Sequence, residues 1–434
     1  MESSKNNNGL NGEVKIPGDK SISHRSIIIP SISKGISEIS NILKSEDVLN
    51  TLSAFKLMGV KIEEINNKII IYGNGINSLR KPNEKIYLGN SGTSARLLIG
   101  LLAAQNFSSI IEGDASLSSR PMARINDPLI VAGANIKSNN GTMPINIVGQ
   151  KLKPIKYVIP LPSAQVKSGL ILAALNIKGE SIITEKNITR DHTEIMLESF
   201  GANIKIKREK NLKHIFINGN HELSSNNINV PSDLSSSAFF IVAALINKNS
   251  FLILNNVNIN PSRDGILRVL KMMGGNINIF NKRLVNREIV ADIEVKSSKL
   301  NGCKLDAEIA KLMIDEYPIL AIAASFANSP SNFKGLKELR VKESDRLELI
   351  RLNLVNCGVD AVVNENNLFI KPSKNYLVKN SEIKTDYDHR IAMSFCIMGG
   401  LLDQNLKILD YQCIKTSFPN FFDSYNNIGG NLIE

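Results

Sequence analysis

Lys20, Ser21 and Arg25 fall within the string GDKSISHR, where a helix is expected to begin. An ammonium, a hydroxyl and a guanidinium at a helix N-terminus suit a phosphate or carboxylate, because free backbone N–H groups and the positive end of the helix dipole lie there. GNSGTSAR offers Gly92 among small residues that let a ligand approach the backbone, and Arg120 stands directly before Pro121, which favours an extended backbone and an outward-pointing side chain. PSAQVKSG contributes Ser163, Ala164, Gln165 and Lys167, and TRDHTE contributes Arg190, Asp191 and His192. IDEYP places Asp315 and Glu316 in an otherwise apolar run, where a carboxylate needs a partner or a role. RVKESDR packs Arg340, Lys342, Glu343, Asp345 and Arg346 into seven residues, and Asp388 and Arg390 of DHR meet an apolar helix. The chemistry these sets suit is the binding of small anions. Helix capping and solvated helix faces would explain the shorter strings equally well, so the residues alone leave both readings open.

Other chemistries lack their signatures. There is no GxxxxGK[ST], no GxSxG and no HExxH, and Gly73-Asn-Gly75 continues to Ser78 instead of completing GxGxxG. Cys303, Cys357, Cys396 and Cys413 are scattered without CxxC spacing, which argues for buried free thiols over a disulfide framework or a zinc site. The net charge of +11 fits anionic small substrates or nucleic acid, but the basic residues are spread along the chain, Trp is absent and aromatics are only 5%, which disfavours nucleic acid. The apolar runs 97–104 and 317–324 fall short of the roughly 20 residues that span a bilayer, and the N-terminus lacks a secretory or transit pattern. A cytoplasmic protein without a transmembrane helix is expected.

The elements that must hold these residues recur. A polar start followed by an aliphatic helical run appears six times, marked by Lys20, Asn90, Ser163, Ser232, Asp315 and Asp388 at separations of 70, 73, 69, 83 and 73. Each is followed by an amphipathic helix ending at Gly59, Gly133, Gly201, Gly274, Gly358 or Gly429, at separations of 74, 68, 73, 84 and 71. Alternating runs such as 68–72, 214–218 and 251–255 read as strands, so each unit reads as βαβαββ. A unit of about 70 residues has little core of its own, so three must pack together, and 434 residues make two such halves. Runs that are apolar all round, 97–104 and 239–246, fit an interior bundle covered by sheets.

GDKSISHR, LGNSGTSAR, SLSSRPM, PSAQVKSGL, TRDHTE, IDEYPIL, RVKESDR and DHRIAMSF occur in this order over essentially the whole chain. In that order they resemble the 5-enolpyruvylshikimate-3-phosphate synthase family (3-phosphoshikimate 1-carboxyvinyltransferases), nearest to its bacterial class II members. The resemblance implies a two-domain inverse α/β barrel of six βαβαββ repeats. Residues 1–19 and 232–434 would form one domain and 20–231 the other, with the active site in the cleft between them. It implies transfer of the carboxyvinyl group of phosphoenolpyruvate to the 5-hydroxyl of shikimate 3-phosphate, releasing phosphate, in chorismate and aromatic amino acid biosynthesis. The implied partners are these two small substrates, with no cofactor, no metal, no nucleic acid and no membrane, and the implied state is a monomer.

Carried over motif by motif, Lys20, Ser21, Arg25, Ser163, Ala164, Gln165, Arg190, Asp315 and Lys342 resemble the shikimate 3-phosphate site. Lys20, Gly92, Arg120, Gln165, Arg346, Arg390 and Lys415 resemble the phosphoenolpyruvate site. Asp315 resembles the family's base and Glu343 its acid, with Lys20 a competing proton donor. Leu97 stands where many members have Pro, Ala164 replaces a second Ser, and Lys415 sits one residue off the family's lysine, which puts its part in leaving-phosphate binding in question. Gly92 is Gly and not Ala, which leaves room beside phosphoenolpyruvate and suggests competitive inhibition by glyphosate. The alternatives are the sister UDP-N-acetylglucosamine enolpyruvyl transferase, whose loop cysteine is missing from SLSSRPM, and a non-enzymatic basic binding protein.

Overall fold

The computed structural model describes residues 1–6, 8–210, 212–373 and 375–434. The chain divides into two compact units, Met1–Pro17 with Pro231–Leu284 and Ile289–Glu434, and Gly18–Val230 with Val285–Glu288. Each closes its own hydrophobic core.

Among the described residues each unit carries three four-stranded sheets, and in every one a parallel edge pair is followed by an antiparallel neighbour. Strands such as Lys68–Asn74 and Leu212–Asn218 bury alternate residues, as period-two sequences with one solvated face must. The helices Lys20–Ser31, Gly92–Ala103 and Ala164–Ala174 in one unit, and Leu234–Ile246, Tyr317–Ser325 and His389–Gly399 in the other, are buried almost all round. Helices inside and sheets outside make each unit an inverse barrel.

The six terminal glycines all adopt left-handed backbone, with φ from 76° at Gly201 to 103° at Gly429. That conformation ends a helix and turns the chain into the next strand at little steric cost only without a Cβ. The second helix of each repeat therefore stops where the glycine period predicts.

Two strands change places. Asn11–Val14 precedes the Lys20 helix in sequence, yet it pairs in parallel with Phe251–Asn258, Val14 opposite Leu254. Ile228–Asn229 precedes the Leu234 helix, yet it pairs with Lys34–Ser40, Ile228 opposite Ile39. The terminal strand Glu2–Ser3 completes the last sheet between Leu406–Ile408 and Leu432–Ile433. No helix among the described residues is long and apolar enough to cross a membrane, and all four cysteines are buried and unpaired.

Candidate active site

In the unit Gly18–Val230 three helix starts carry most of the predicted binding residues. Asp19 caps the Lys20 helix by accepting from Ile22 N at 2.9 Å, so Ser21 is released from capping and sits half-buried in the first turn. Ser91 and Ser163 cap the other two helices, accepting from Ser94 N at 3.2 Å and Val166 N at 3.3 Å. Ser163 thus does the capping its string allows as well as standing near the binding residues.

The Gly92 and Ala164 helices touch backbone to backbone. A Cβ on Gly100 would lie 1.9 Å from the carbonyl oxygen of Gly169, and one on Gly169 would lie 2.5 Å from that of Arg96. This approach lets Gln165 accept from Arg96 Nη1 at 2.8 Å and donate to Thr93 Oγ1 at 3.0 Å. Gly92 is buried beneath two guanidiniums, and an added Cβ would stand 2.9 Å from Arg96 Nη1 and 3.2 Å from Arg120 Nη1. Arg120 does not project outward as the following proline suggests. It folds back, half-buried, to donate to the backbone of Asn90 at 3.2 Å, to Ser116 Oγ at 3.1 Å and to the Asn90 side chain, because these acceptors lie within its reach.

Lys20 is ion-paired with Asp47 on the helix Glu46–Leu57. Behind it, His24 is fully buried with Nδ1 2.9 Å from Thr51 Oγ1 and 3.2 Å from Ser94 Oγ. Burial, then the charges of Lys20 and Arg25, push its pKa well below the ordinary value, so the imidazole is neutral. Arg25 donates to Thr193 Oγ1 at 2.6 Å, to the Ser21 carbonyl at 2.7 Å and to Ser168 Oγ at 2.8 Å. Burial foremost, and the nearby Arg190 cation, lower its pKa to about 10 against the opposing pull of Glu194, Asp19 and Glu288. The buried Arg25 guanidinium, within the electrostatic reach of half-buried Arg190, suits an anion.

In the other unit the predicted residues meet at Arg346, which is 1% exposed. It donates from Nε to Asp388 Oδ2 at 2.7 Å, from Nη1 to Asp315 Oδ1 at 3.2 Å and from Nη2 to Glu343 Oε2 at 2.5 Å. Burial alone would lower its pKa, but Asp388, Glu343 and Asp315 outweigh burial and raise it. Lys342 Nζ is 3.1 Å from the same Asp315 oxygen. Arg390 donates to the Asp315 backbone carbonyl at 3.1 Å and lies 3.8 Å from Glu316 Oε1. Asp315, Lys342, Glu343, Arg346 and Arg390 are therefore one cluster. Lys415 is exposed on the 3₁₀ turn Tyr411–Thr416 and makes no hydrogen bond or ion pair to this cluster among the described residues.

Sequence reasoning missed a set of supporting residues. Arg96 closes the string GNSGTSAR, where nothing local marks it as a partner of Gln165. Asp47, which holds Lys20, is an ordinary first-turn acid by sequence. In the other unit, buried Arg263 donates to Ser235 Oγ at 2.7 Å and to Asp233 Oδ1 at 3.2 Å, and Ser235 donates to Glu316. Nothing in the spacing of residues 233, 263 and 316 announces that contact.

The profile of the EPSP synthase (3-phosphoshikimate 1-carboxyvinyltransferase) family matches residues 4–425. A 3-phosphoshikimate 1-carboxyvinyltransferase of Vesicomyosocius okutanii subsp. Calyptogena okutanii is 45% identical over 98% of this chain and 97% of its own length. One from Petrotoga mobilis is 44% identical over 96% and 97%. The EPSP synthase structure from Acinetobacter baumannii superposes with a TM-score of 0.87 at 42% identity, covering 99% of this chain and 98% of that one. The enolpyruvyl transferase NikO from Streptomyces tendae, at 14% identity and a TM-score of 0.79 over 99% and 97%, shares the fold.

Proposed function

The chain belongs to the EPSP synthase, or 3-phosphoshikimate 1-carboxyvinyltransferase, family, and from that premise we propose how its own residues carry the reaction. It is an enzyme that transfers the carboxyvinyl group of phosphoenolpyruvate to shikimate 3-phosphate with release of phosphate. Ser21, Arg25, Ser163, Ala164, Gln165 and Arg190 hold shikimate 3-phosphate, with Arg25 and Arg190 taking its anionic groups. Lys20, Gly92, Arg120, Arg346 and Arg390 hold phosphoenolpyruvate.

In the addition step C3 of the enol takes a proton from Glu343 or Lys20, cationic character develops at C2, and the 5-hydroxyl oxygen attacks C2 while giving its proton to Asp315. In the elimination step C3 returns a proton to the group that supplied it, the double bond re-forms and the C2–O bond to phosphate breaks, the electron pair leaving with the phosphate, which takes up the proton held by Asp315. The observation that carries this assignment is the junction at Arg346. One buried guanidinium fixes Asp315 and Glu343 within 3.2 Å of itself, and Lys342 contacts the same Asp315 oxygen at 3.1 Å. Two carboxylates anchored to one rigid cation keep their separation through both proton transfers.

Residues 1–19 with 232–434, and 20–231, are read as the two domains, supported by the separate cores of the two units. Action on small anions and not on nucleic acid is supported by basic residues spread along the chain and by its low aromatic content of 5%, and a cytoplasmic monomer is read from the family alone. Glyphosate is read as a competitor of phosphoenolpyruvate, supported by Gly92 lying without a side chain directly beneath the Arg96 and Arg120 guanidiniums.

The test is phosphate release from phosphoenolpyruvate with shikimate 3-phosphate or UDP-N-acetylglucosamine as acceptor, repeated with Asp315→Ala. Release with shikimate 3-phosphate alone, largely lost in the folded variant, is expected. Release with the sugar nucleotide alone would overturn the acceptor assignment, and full activity in Asp315→Ala would overturn the role of Asp315.

A further inference from the structure

The buried charges that this mechanism leaves unused lie together in the unit Gly18–Val230. Lys167 on the Ala164 helix, Glu185 on strand Glu180–Glu185, Glu194 on helix His192–Ser199 and Lys213 on strand Leu212–Asn218 all have side chains no more than 1% exposed. Lys167 Nζ lies 3.0 Å from Glu185 and 2.9 Å from Glu194, while Lys213 Nζ lies 2.8 Å from Glu194 and 3.9 Å from Glu185. Two cations alternate with two anions. Burial would raise the Glu194 pKa, but Lys167 and Lys213 outweigh it and hold the carboxyl at about 2. Burial would likewise lower the Lys167 pKa, and Glu194 and Glu185 overcome it and raise it. These opposing pulls keep Glu194 and Lys167 ionised.

Removing four charges from water is costly, and well-packed apolar side chains of similar volume commonly stabilise as well or better. Stability alone is therefore a poor account of this ring, and its connections supply another. Lys167 also reaches the Thr189 carbonyl at 3.4 Å, and Glu185 accepts from Thr189 N at 3.2 Å and from its hydroxyl. Lys213 Nζ lies 4.0 Å from Asp191. Arg190 sits between these two anchored neighbours. Glu194 directly follows Thr193, and Lys167 directly precedes Ser168; these are the two hydroxyls that receive Arg25, at 2.6 Å and 2.8 Å. Each half of the ring thus fixes a backbone segment that holds Arg25 or flanks Arg190.

We infer that Lys167, Glu185, Glu194 and Lys213 are positioning residues, a buried quartet that aims Arg25 and Arg190 at shikimate 3-phosphate. The inference rests on the functional reading above. Guanidinium bonds to a carboxylate or phosphate are directional, and a displacement of about 1 Å is enough to weaken them severely. The quartet tunes one substrate and not the other, because its backbone links end at Arg25 and at the Arg190 loop.

The test compares wild type, Lys213→Met and Lys213→Met/Glu194→Gln by thermal unfolding, kcat and both KM values. The single variant leaves two buried glutamates sharing Lys167. The double variant removes one charge of each sign and keeps the Lys167–Glu185 pair at 3.0 Å. The unfolding temperature is expected to fall in the single variant and to recover mostly in the double. The KM for shikimate 3-phosphate is expected to stay raised about tenfold or more in both, with kcat and the KM for phosphoenolpyruvate within about twofold of wild type. A folded variant with an unchanged KM for shikimate 3-phosphate, or an equal rise in both KM values, would overturn the positioning role. If the single variant fails to fold, the double decides by the same readings. Wild-type protein that released no phosphate from this substrate pair would overturn the functional reading itself, and it is assayed first.

Discussion

Arg346 Nε and Asp388 Oδ2 stand 2.7 Å apart with both side chains closed off from water, and this bond ties the first turn of one helix to the cap of another. Asp388 also accepts from Ser344 Oγ at 3.0 Å and caps its own helix through Arg390 N at 3.0 Å. One carboxylate thereby sets the position of two arginines assigned to phosphoenolpyruvate.

Asp388→Asn keeps the shape and the cap but leaves Arg346 with one acid fewer. Breaking a buried pair on one side is expected to cost about 3 kcal/mol, read as a lower denaturant midpoint at unchanged m-value. The KM for phosphoenolpyruvate is expected to rise with it. A variant as stable as wild type would show that Asp315 and Glu343 satisfy Arg346 without Asp388.

Gly92→Ala adds a methyl 2.9 Å from Arg96 Nη1 and 3.2 Å from Arg120 Nη1. Both atoms are ends of flexible side chains, so the expected cost in stability is below about 1 kcal/mol. Displacing the guanidiniums is expected to raise the KM for phosphoenolpyruvate several-fold, about 1 kcal/mol, and to weaken inhibition by glyphosate. Unchanged kinetic constants would place the donor site away from Gly92.

Gly100→Ala meets an unyielding neighbour, the Gly169 carbonyl at 1.9 Å. The two helices must separate, and a loss of about 3 kcal/mol or failure to fold is expected. Gln165 would lose its reach to Arg96, so any folded variant is expected to lose activity as well. Thermal unfolding and phosphate release check both.

His24 sets a pH dependence with a definite sign. Its pKa is held far below 6.5 in the fold, by burial first and by Lys20 and Arg25 next, whereas the unfolded chain protonates near 6.5. The unfolded state therefore binds the extra proton, and stability is full above about pH 6.5 and falls by about 1.4 kcal/mol per unit below it. Urea denaturation between about pH 5 and 7 should show this slope, and His24→Gln should flatten it. Glu194, held at about 2, adds a loss in the same direction as pH falls below 4.5.

Much of the architecture is legible along the chain because it is local. A left-handed residue after each helix asks for glycine, so the six glycines report six helix ends by spacing alone. The grouping of Asp315, Lys342, Glu343 and Arg346 is partly legible for the same reason, since three of the four lie within five residues of one another. Supporting residues are less visible. Arg263, Ser235 and Glu316 are far apart in sequence, each is common on a helix or a loop, and only packing brings them within bonding distance.

The amino-acid sequence by itself determined the six repeats, the inward apolar helices and the cationic helix starts, because periodicity, capping and propensity act over a few residues at a time. No local pattern tells that Asn11–Val14 joins Phe251–Asn258 and that Ile228–Asn229 joins Lys34–Ser40, instead of each serving the helix that follows it; the family resemblance implies the exchange, and the tertiary structure sets the pairing. Both segments are short, and either parallel edge would satisfy their backbone groups. The choice falls to which core each can complete, and that is a property of residues more than a hundred positions away. The same holds for the Lys167, Glu185, Glu194 and Lys213 ring: a buried charge is tolerable only beside its counter-charge, and that neighbour exists only once the helices and sheet have closed around it.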